Sequence, residues 1–472
     1  MSSLDPKRFP KDFIFGTATA AYQVEGGNDL DGKGRSAWDE IREQPGRIAG
    51  NPGINVSCEA RLRYKEDVQT LKQLGVTHYR FSIAWSRVFP DGTAKTKNDV
   101  GIKYYRDLCE ELLANGIQPM VTLFHADLPL AIFDAGGWLN PETTKHFLDF
   151  SRFCFEKLGD LVKIWVTFNE IAMQAWSHIA KFEGHPWMCP DRPDPKNKRE
   201  VPYLGGRNMI LTHAHVYRLY EKEFKSVQKG QVGIVHTGKF TYAASEVPED
   251  KAACERAFDW LSRWTIDPIF TDEADFPLSM KKALPFLPSF TVEEKELLRH
   301  SPDFLGFNYY RPFKVSNLAP GAKAASLCEA DGQFDYVEEP KWEKICGETW
   351  VRYAPEGLED LLKYCKKAYN DIPTFVTENG CMDLIDSTSD PLQDDHRIKY
   401  VEGHILAVQN ALAAGCNVLG YILWSYCDNF EWDDGFTVRF GAYRIDFEDP
   451  DKKRIPKKSA KFYSDFIKKF RN

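Results

Sequence analysis

The sequence lacks an apolar run approaching the ~20 residues that a membrane-spanning helix needs, and it has no basic stripe that would follow a phosphate backbone. Its 472 residues carry a net charge of −8, with acidic and basic side chains interspersed, so nucleic acid is not an expected partner. The N-terminal stretch "MSSLDPKRFPKDF" has no apolar core of a signal peptide. We therefore predict no membrane association and a cytoplasmic location.

Several common chemical motifs are also missing. The 11 cysteines are odd in number, scattered and never spaced as CxxC, which indicates neither a disulfide framework nor a zinc site. The sequence has no GxSxG elbow and no Walker loop. Its closest approach to a metal-ligand pair is His213 and His215, but their segment predicts a helix, where residues two apart face different ways. We predict that both are packing residues and that there is no metal site.

Eight β-rich runs are present, and longer segments of helical periodicity alternate with them. The runs are "FIFGTATAAYQ" ending near Gln23, "THYRFSIAW" around Arg80, "QPMVTLFHADLP" around His125, "IWVTFNE" ending at Glu170, "QVGIVHT", "DFLGFNYY" around Asn308, "TFVTENG" around Glu378, and "VLGYILWSYCDNFEW". Such alternation implies parallel strands with right-handed crossovers. It predicts an α/β protein, a single (β/α)8 TIM barrel spanning residues 1–472 as one domain.

Two long segments are rich in proline, glycine and charge, at residues 186–203 and 316–350. Their composition predicts irregular structure. Long loops that follow barrel strands usually form the rim of the active site. We therefore expect both segments to border the site.

Polar residues occur where the β-rich runs end, which in this fold is the catalytic face. They are Gln23, His125, Asn169 with Glu170, Asn308, and Glu378 with Asn379. Any one of them could be a cap or a turn residue, but their recurrence at five strand ends favours a site.

Two of these residues are carboxylic acids on the fourth and seventh strands, Glu170 and Glu378, which a barrel would place facing each other across its mouth. Such a pair suits glycosidic cleavage, in which one carboxylic acid protonates the leaving oxygen and the other attacks or activates water. The spacing alone leaves open which residue does which.

Ten ordered segments resemble one enzyme family along essentially the whole chain: "FIFGTATAAYQVEG", "YRFSIAWSR", "TLFHADLP", "GGW", "TFNE", "HAHVYRLY", "FNYY", "TENG", "WSYCDNFEW" and "RFGAYRIDFEDPDKKRIPKKSAKFY". The sequence is similar to glycoside hydrolase family 1, in particular its cytosolic β-glucosidase-like members. This resemblance implies a (β/α)8 barrel, no cofactor, and hydrolysis of β-glycosides with retention of anomeric configuration.

The resemblance also implies roles for individual residues. Glu170 would be the acid/base and Glu378 the nucleophile, with Arg80, at the end of the second strand, and Tyr310 touching the nucleophile. The implied sugar-binding residues are Gln23, His125, Asn169, Asn308, Trp424, Glu431 and Trp432, with Trp424 stacking on the ring. The implied substrate is an O-linked, unphosphorylated β-D-glucoside, and galactosides or fucosides stay open.

The sequence departs from the family at Ala126, where relatives usually carry Trp or Phe, and at Ile171, where most carry proline. Ala126 predicts either a pocket enlarged for a substituted sugar or a neighbouring aromatic that fills the gap. The positions of Trp342 and Trp350 are not predicted.

Two alternative functions stay open. The first is a non-catalytic glycan-binding or co-receptor barrel, although both glutamates are present here. The second is a transglycosidase, which would pass through the same covalent intermediate. A homodimer is retained as a candidate assembly.

Overall fold

The computed structural model describes residues 4–179, 198–384 and 390–472. Eight parallel strands form a closed barrel, in which each strand lies beside its sequence neighbours and the eighth pairs with the first. The strands are β1 Ile14–Ala18, β2 His78–Ser82, β3 Gln118–Phe124, β4 Ile164–Asn169, β5 Gln231–Thr237, β6 Leu305–Asn308, β7 Thr374–Asn379 and β8 Val418–Trp424. The predicted fold class and all eight predicted strand regions are confirmed.

Helices cover the outside of the barrel. Among the described residues the longer ones are Ala60–Leu74, Asp99–Ala114, Pro141–Leu158, Val201–Glu223, Pro248–Phe258, Pro355–Ala368, Asp395–Ala413 and Lys458–Arg471, and shorter ones include Ala21–Val24, Ala37–Glu43, Trp264–Phe270, Leu278–Ala283 and Val292–Leu298. The first long helix ends at Gly75, whose φ of 84° is the left-handed conformation that favours glycine. No helix in the described ranges is long and apolar enough to cross a membrane.

The barrel interior is packed rather than open. Met120, Val166, Val235 and Phe375, contributed by four different strands, meet in one buried apolar cluster. A larger cluster between strands and helices contains most of the remaining core. Because this cluster fills part of the barrel interior, we expect an open site at an end of the barrel.

The long segment at residues 316–350 corrects one prediction, because it is partly regular. It contains the helix Leu327–Gly332 and the strand Phe334–Val337. That strand pairs with Phe313–Asn317, which in turn pairs with Thr241–Ala243, to form a small three-stranded sheet. The other long segment, at residues 186–203, lies mostly outside the described residues.

The strands that carry the two glutamates have irregular registers at their C-terminal ends. The pairing of β4 with β5 shifts between Val166 and Asn169, and β7 shifts between Val376 and the residues at its end on both sides. Irregular pairing at a barrel rim re-aims side chains. The irregularities thus fall where the sequence predicts the site.

Candidate active site

A cavity of about 470 Å³ opens at the C-terminal end of the barrel strands. Nine of the eleven predicted site residues line it: His125, Asn169, Glu170, Asn308, Tyr310, Glu378, Trp424, Glu431 and Trp432. Asn169, Asn308 and Trp424 are the last residues of their strands, and His125 and Glu170 directly follow theirs. The rule that strand ends carry the site therefore holds for most of the predicted set.

The backbone at Glu170 explains why two adjacent side chains share the cavity. In an extended strand Asn169 and Glu170 would face opposite sides of the sheet. Glu170 instead has a φ of +53°, a left-handed conformation that few non-glycine residues adopt. Ala126 and Trp432 also line the cavity with positive φ values, 71° and 49°. Backbone strain of this kind is concentrated at functional sites.

Glu378 is a buried carboxylate with a dedicated cation. Arg80 Nη1 donates to its Oε1 at 2.6 Å, and the Tyr310 hydroxyl donates to its Oε2 at 2.8 Å. Arg80 is itself 1% exposed, and its Nη2 donates to Asn169 Oδ1 at 2.7 Å. An arginine keeps its charge when buried, so these contacts favour the ionised form of Glu378.

Asn308 connects the two carboxyl groups. Its Nδ2 donates to Glu170 Oε1 at 2.9 Å and to Asn169 Oδ1 at 3.0 Å. The amide orientation is set because Thr377 Oγ1 donates to Asn308 Oδ1 at 2.8 Å. The same amide also interacts with the Glu378 carboxylate. Both acids therefore lie around one amide group.

The two carboxyl groups have different electrostatic surroundings. Burial and the nearby Glu378 charge raise the pKa of Glu170 to about 7. Burial also raises the pKa of Glu378, but Arg80 and Tyr310 oppose that rise by direct hydrogen bonds. Since Glu170 has no guanidinium hydrogen-bonded to it among the described residues, the proton that the pair retains belongs on Glu170.

Glu431 is a third acid in the same cavity. Burial, together with the Glu378 and Asp434 charges, raises the pKa of Glu431 to about 8. Gln23 Nε2 donates to Glu431 Oε2 at 3.3 Å and to the Phe430 carbonyl at 2.8 Å. The Gln23 Oε1 atom is buried without a hydrogen-bond partner in the described part of the chain, as an acceptor for a ligand hydroxyl would be.

Aromatic rings form one wall of the cavity. The His125 ring lies nearly parallel to both Trp424 and Trp432, with centroids 5.9 and 6.1 Å away and interplanar angles of 12° and 13°. Trp38 packs against Trp432 at 4.8 Å and also lines the cavity. Indole faces beside amides and acids match the apolar faces and polar edges of a pyranose.

Two predicted positions need correction. Arg80 lies within β2 rather than at its end, and its long side chain reaches the mouth from there. Gln23 lies in the helix Ala21–Val24, beyond the end of β1, and contacts Glu431 instead of lining the cavity.

The structure also adds cavity residues that the sequence did not predict, among them Trp38, Met173, Lys239, Arg311, Phe313 and Trp350. Lys239 lies two residues after the end of β5, so the strand-end rule could have found it. Trp342 is buried outside the cavity and donates to Glu356 Oε1.

The histidine pair behaves only partly as predicted. His213 is fully buried in the helix Val201–Glu223 and hydrogen-bonds Thr167 Oγ1 at 2.7 Å, which confirms a packing role. His215 is exposed, so the prediction that it packs is wrong. Among the described residues no group of three or more histidine, cysteine or acidic side chains has the arrangement of a metal site.

A (β/α)8 barrel that holds two carboxyl groups with opposite protonation preferences at its catalytic end defines the protein as a glycoside hydrolase. The chain belongs to glycosyl hydrolase family 1, whose family model matches residues 5–471. Its sequence is 37% identical to Beta-glucosidase 12 of Oryza sativa subsp. indica, over 98% of this chain and 93% of that protein. It is 38% identical to Beta-glucosidase 42 of Arabidopsis thaliana, over 98% of this chain and 94% of that protein.

Solved structures agree with the sequence comparison. A rice β-glucosidase superposes with a TM-score of 0.91 at 33% identity, covering 98% of this chain and 99% of that one. An aphid myrosinase superposes with a TM-score of 0.88 at 34% identity, again covering 98% and 99%. The described barrel therefore has the overall arrangement of family 1 enzymes.

Proposed function

We propose that the protein hydrolyses O-linked β-D-glucosides with retention of configuration, by a double displacement between Glu378 and Glu170. The observation that carries this proposal is the unequal environment of the two acids. Arg80 and Tyr310 hydrogen-bond Glu378, whereas Glu170 receives only the Asn308 amide among the described side chains. One carboxyl group is thus suited to attack and the other to donate a proton.

In the first step the Glu378 carboxylate attacks the anomeric carbon while Glu170 gives its proton to the leaving oxygen. This forms a glycosyl ester and releases the alcohol. The attacking oxygen loses its negative charge, which removes the repulsion that raised the pKa of Glu170. Glu170 is therefore left as a carboxylate.

In the second step Glu170 takes a proton from water, which attacks the anomeric carbon and displaces Glu378. The sugar leaves with its original configuration. The Arg80 guanidinium again faces a free carboxylate, as it did before the cycle began. The two glutamates are restored to their starting protonation states.

The spacing of the acids supports retention over inversion. Asn308 donates to Glu170 Oε1 at 2.9 Å and also interacts with the Glu378 carboxylate, so the two acids are close neighbours. Retaining enzymes hold their two carboxyl groups about 5–5.5 Å apart. Inverting enzymes need about 6.5–9.5 Å to admit a water between the acids.

Relatives support the substrate class and the covalent step. The curated proteins named above are β-glucosidases, and a mutant of the rice β-glucosidase is described in a covalent complex with Glc, at 33% identity to this chain. Because one structural neighbour is a myrosinase, the assay panel should include a thioglucoside beside O-glucosides, O-galactosides and O-fucosides.

Azide rescue tests the two roles. A Glu378→Gly variant should form an α-glycosyl azide, because azide replaces the missing nucleophile on the opposite face. A Glu170→Gly variant should form a β-glycosyl azide, because azide attacks the intact intermediate. NMR of the products decides, and the reverse pattern would exchange the roles. An α-configured first product from the unmodified enzyme would instead indicate inversion.

The cytoplasmic location and the homodimer remain predictions. Cell fractionation can test the location, and light scattering of the purified chain can test the dimer.

The enlarged pocket at Ala126 is also a prediction. Ala126 lines the cavity beside His125, so replacement by tryptophan should narrow the cavity there. If Ala126→Trp leaves the preference between plain and substituted glucosides unchanged, the enlarged-pocket hypothesis is wrong.

A further inference from the structure

Two cationic side chains line the cavity in addition to its acids. Lys239 and Arg311 line the same cavity as Glu170, and both approach one ring, that of Phe313. The Arg311 guanidinium carbon lies 4.7 Å from the ring centroid, and Lys239 Nζ lies 5.8 Å from it. Two cations therefore converge on a single aromatic side chain.

Among the described residues Arg311 forms no direct salt bridge, because the acid that influences its pKa, Glu338, pairs with Arg352 at 3.3 Å. Arg311 is half-buried, and it donates hydrogen bonds to the backbone carbonyls of Pro312 and, at 3.0 Å, of Trp350. Burial and the nearby Arg352 charge lower the pKa of Arg311, although a guanidinium stays protonated in proteins. A partly desolvated guanidinium with unused donors is a recognition element for a carboxylate.

The position of Arg311 corresponds to the leaving-group side of the cavity. Its partner Trp350 is 45% exposed, which places this pair at the rim, whereas Asn169, Asn308 and Glu378 are buried at the inner end. The Trp350 ring lies 5.3 Å from that of Tyr310, which bonds the nucleophile. A group attached to the reacting sugar and pointing outward would meet this wall.

Lys239 links the rim to the proton donor. Its charge lowers the pKa of Glu170, so its ammonium group lies within electrostatic reach of the acid. Its Nζ also lies 3.6 Å from Met173 Sδ, on the cavity wall. Glu170 therefore has a cationic and an apolar side chain near it on the cavity wall.

We propose that this rim is a subsite for an aromatic leaving group that bears a carboxylate, with Arg311 binding the anion and Lys239 adding a second positive charge. The inference rests on the proposed function, since it names the class of glucoside that the same cavity takes. The inner acids repel an anion and the rim attracts it, so the charge also orients the substrate. The products are glucose and a hydroxyaryl carboxylate, with water as the only co-reactant.

The test compares 4-carboxyphenyl β-D-glucoside with its methyl ester, 4-(methoxycarbonyl)phenyl β-D-glucoside. The ratio of kcat/KM for the acid to that for the ester isolates the contribution of the charge. Arg311→Met keeps the aliphatic stem and deletes the charge, and it should lower this ratio about tenfold, as expected for one charge-assisted hydrogen bond. Lys239→Met should lower the ratio by less, about threefold.

Arg299→Met is the matched control, because Arg299 is also half-buried and donates to a backbone carbonyl, but it lies outside the cavity. It should leave the ratio unchanged. Arg311→Lys should retain part of the wild-type ratio. Salt provides a test that needs no variant: raising NaCl from about 20 to 500 mM should lower the wild-type ratio, because screening weakens a partly exposed charge pair.

The outcomes separate the two proposals. If the enzyme hydrolyses neither glucoside, the proposed function fails. If it hydrolyses both with a ratio that neither Arg311→Met nor salt changes, only the anion subsite is overturned. If Arg311→Met does not fold, the salt dependence and the Lys239→Met ratio decide, and the absence of both effects rejects the subsite.

Discussion

Buried carboxyl groups have different counter-charges in the cavity and in a second region, a buried ionic network. The ionic network consists of Asp383, Asp394, Arg397, Asp428 and Lys457, all at least nine-tenths buried. Its acids and bases are closely matched: Arg397 pairs with two of the aspartates, and Lys457 pairs with Asp383 at 3.0 Å and Asp428 at 2.9 Å. Three acids there share two permanent cations and the nearby His396.

In the cavity, the three glutamates share one directly paired guanidinium. Of these glutamates Arg80 bonds only Glu378, and the raised pKa values of the other two favour their protonated forms. The pKa of Glu170 is raised to about 7 and that of Glu431 to about 8, whereas Arg397 and Lys457 hold the pKa of Asp383 well below its usual range. The number of counter-charges, rather than burial alone, decides whether a buried carboxyl keeps its proton. A shortage of cations beside the three glutamates thus favours a retained proton, which the proposed mechanism uses.

The largest effect should come from replacing Glu378, the cavity glutamate that is paired with an arginine. Glu378→Gln keeps the shape of the side chain but cannot form the glycosyl ester, so kcat should fall by about 10⁴-fold or more. Steady-state assays with an aryl β-glucoside measure this loss, and circular dichroism checks the fold. A Glu378→Gln variant that retains a tenth of the wild-type rate would show that Glu378 is not the nucleophile.

The next effect concerns stability rather than rate. Arg397→Met removes a fully buried guanidinium, so Asp383 and Asp394 lose the positive charge that they share. The free energy of unfolding should therefore fall by about 3–5 kcal/mol. Urea unfolding followed by tryptophan fluorescence provides the measurement. The control is Arg299→Met, which removes a half-buried arginine hydrogen-bonded to a backbone carbonyl. Equal losses in both variants would mean that the network is no more stabilising than an ordinary hydrogen bond.

A third effect is the pH dependence of catalysis. Glu170 must be protonated to release a poor leaving group, so kcat/KM should fall as the pH rises through about 7. Glu170→Gln should lower kcat/KM for such substrates by about 10² to 10³-fold and abolish this basic limb. Activated aryl glucosides, which need no proton, serve as the control for glycosylation. A basic limb that persists in Glu170→Gln would belong to another group.

The features that depend on local sequence pattern could be predicted from the sequence. Runs of β-branched and aromatic residues located the eight strands, and the polar residues at their ends located Glu170 and Glu378. It did not predict that Arg80 reaches the mouth from within a strand, because the reach of a side chain depends on barrel packing. Trp38 lies on a helix far from any strand end and carried no signal.

The ionic network was not predicted for a different reason. Asp383, Arg397, Asp428 and Lys457 come from separate segments that meet only after the barrel closes, and no local spacing marks a buried ion pair. The shift of Glu170 likewise depends on a charge 208 positions away along the chain. Such pKa shifts depend on charges that only the folded chain brings together.

The smallest predicted effect concerns stability as a function of pH, which changes in opposite directions in the ionic network and in the cavity. Asp383 has a depressed pKa, so its contribution to stability is complete above the ordinary carboxyl pKa near 4 and is lost as the pH falls. Glu431 has a pKa raised to about 8, so between about 4.5 and 8 the folded state holds a proton that the unfolded state has released. Its contribution to stability therefore decreases as the pH rises through this window.

Glu431→Gln removes this penalty because glutamine never ionises. The variant should be more stable than the wild type by about 1–2 kcal/mol at pH 8, with the difference shrinking towards zero near pH 4.5, even though sugar binding suffers. Urea unfolding at the two pH values measures it, and Glu402→Gln, at an exposed glutamate, should show no such trend. Equal stability of Glu431→Gln and wild type at both pH values would mean that Glu431 is ionised without cost, and that the cavity is not short of positive charge.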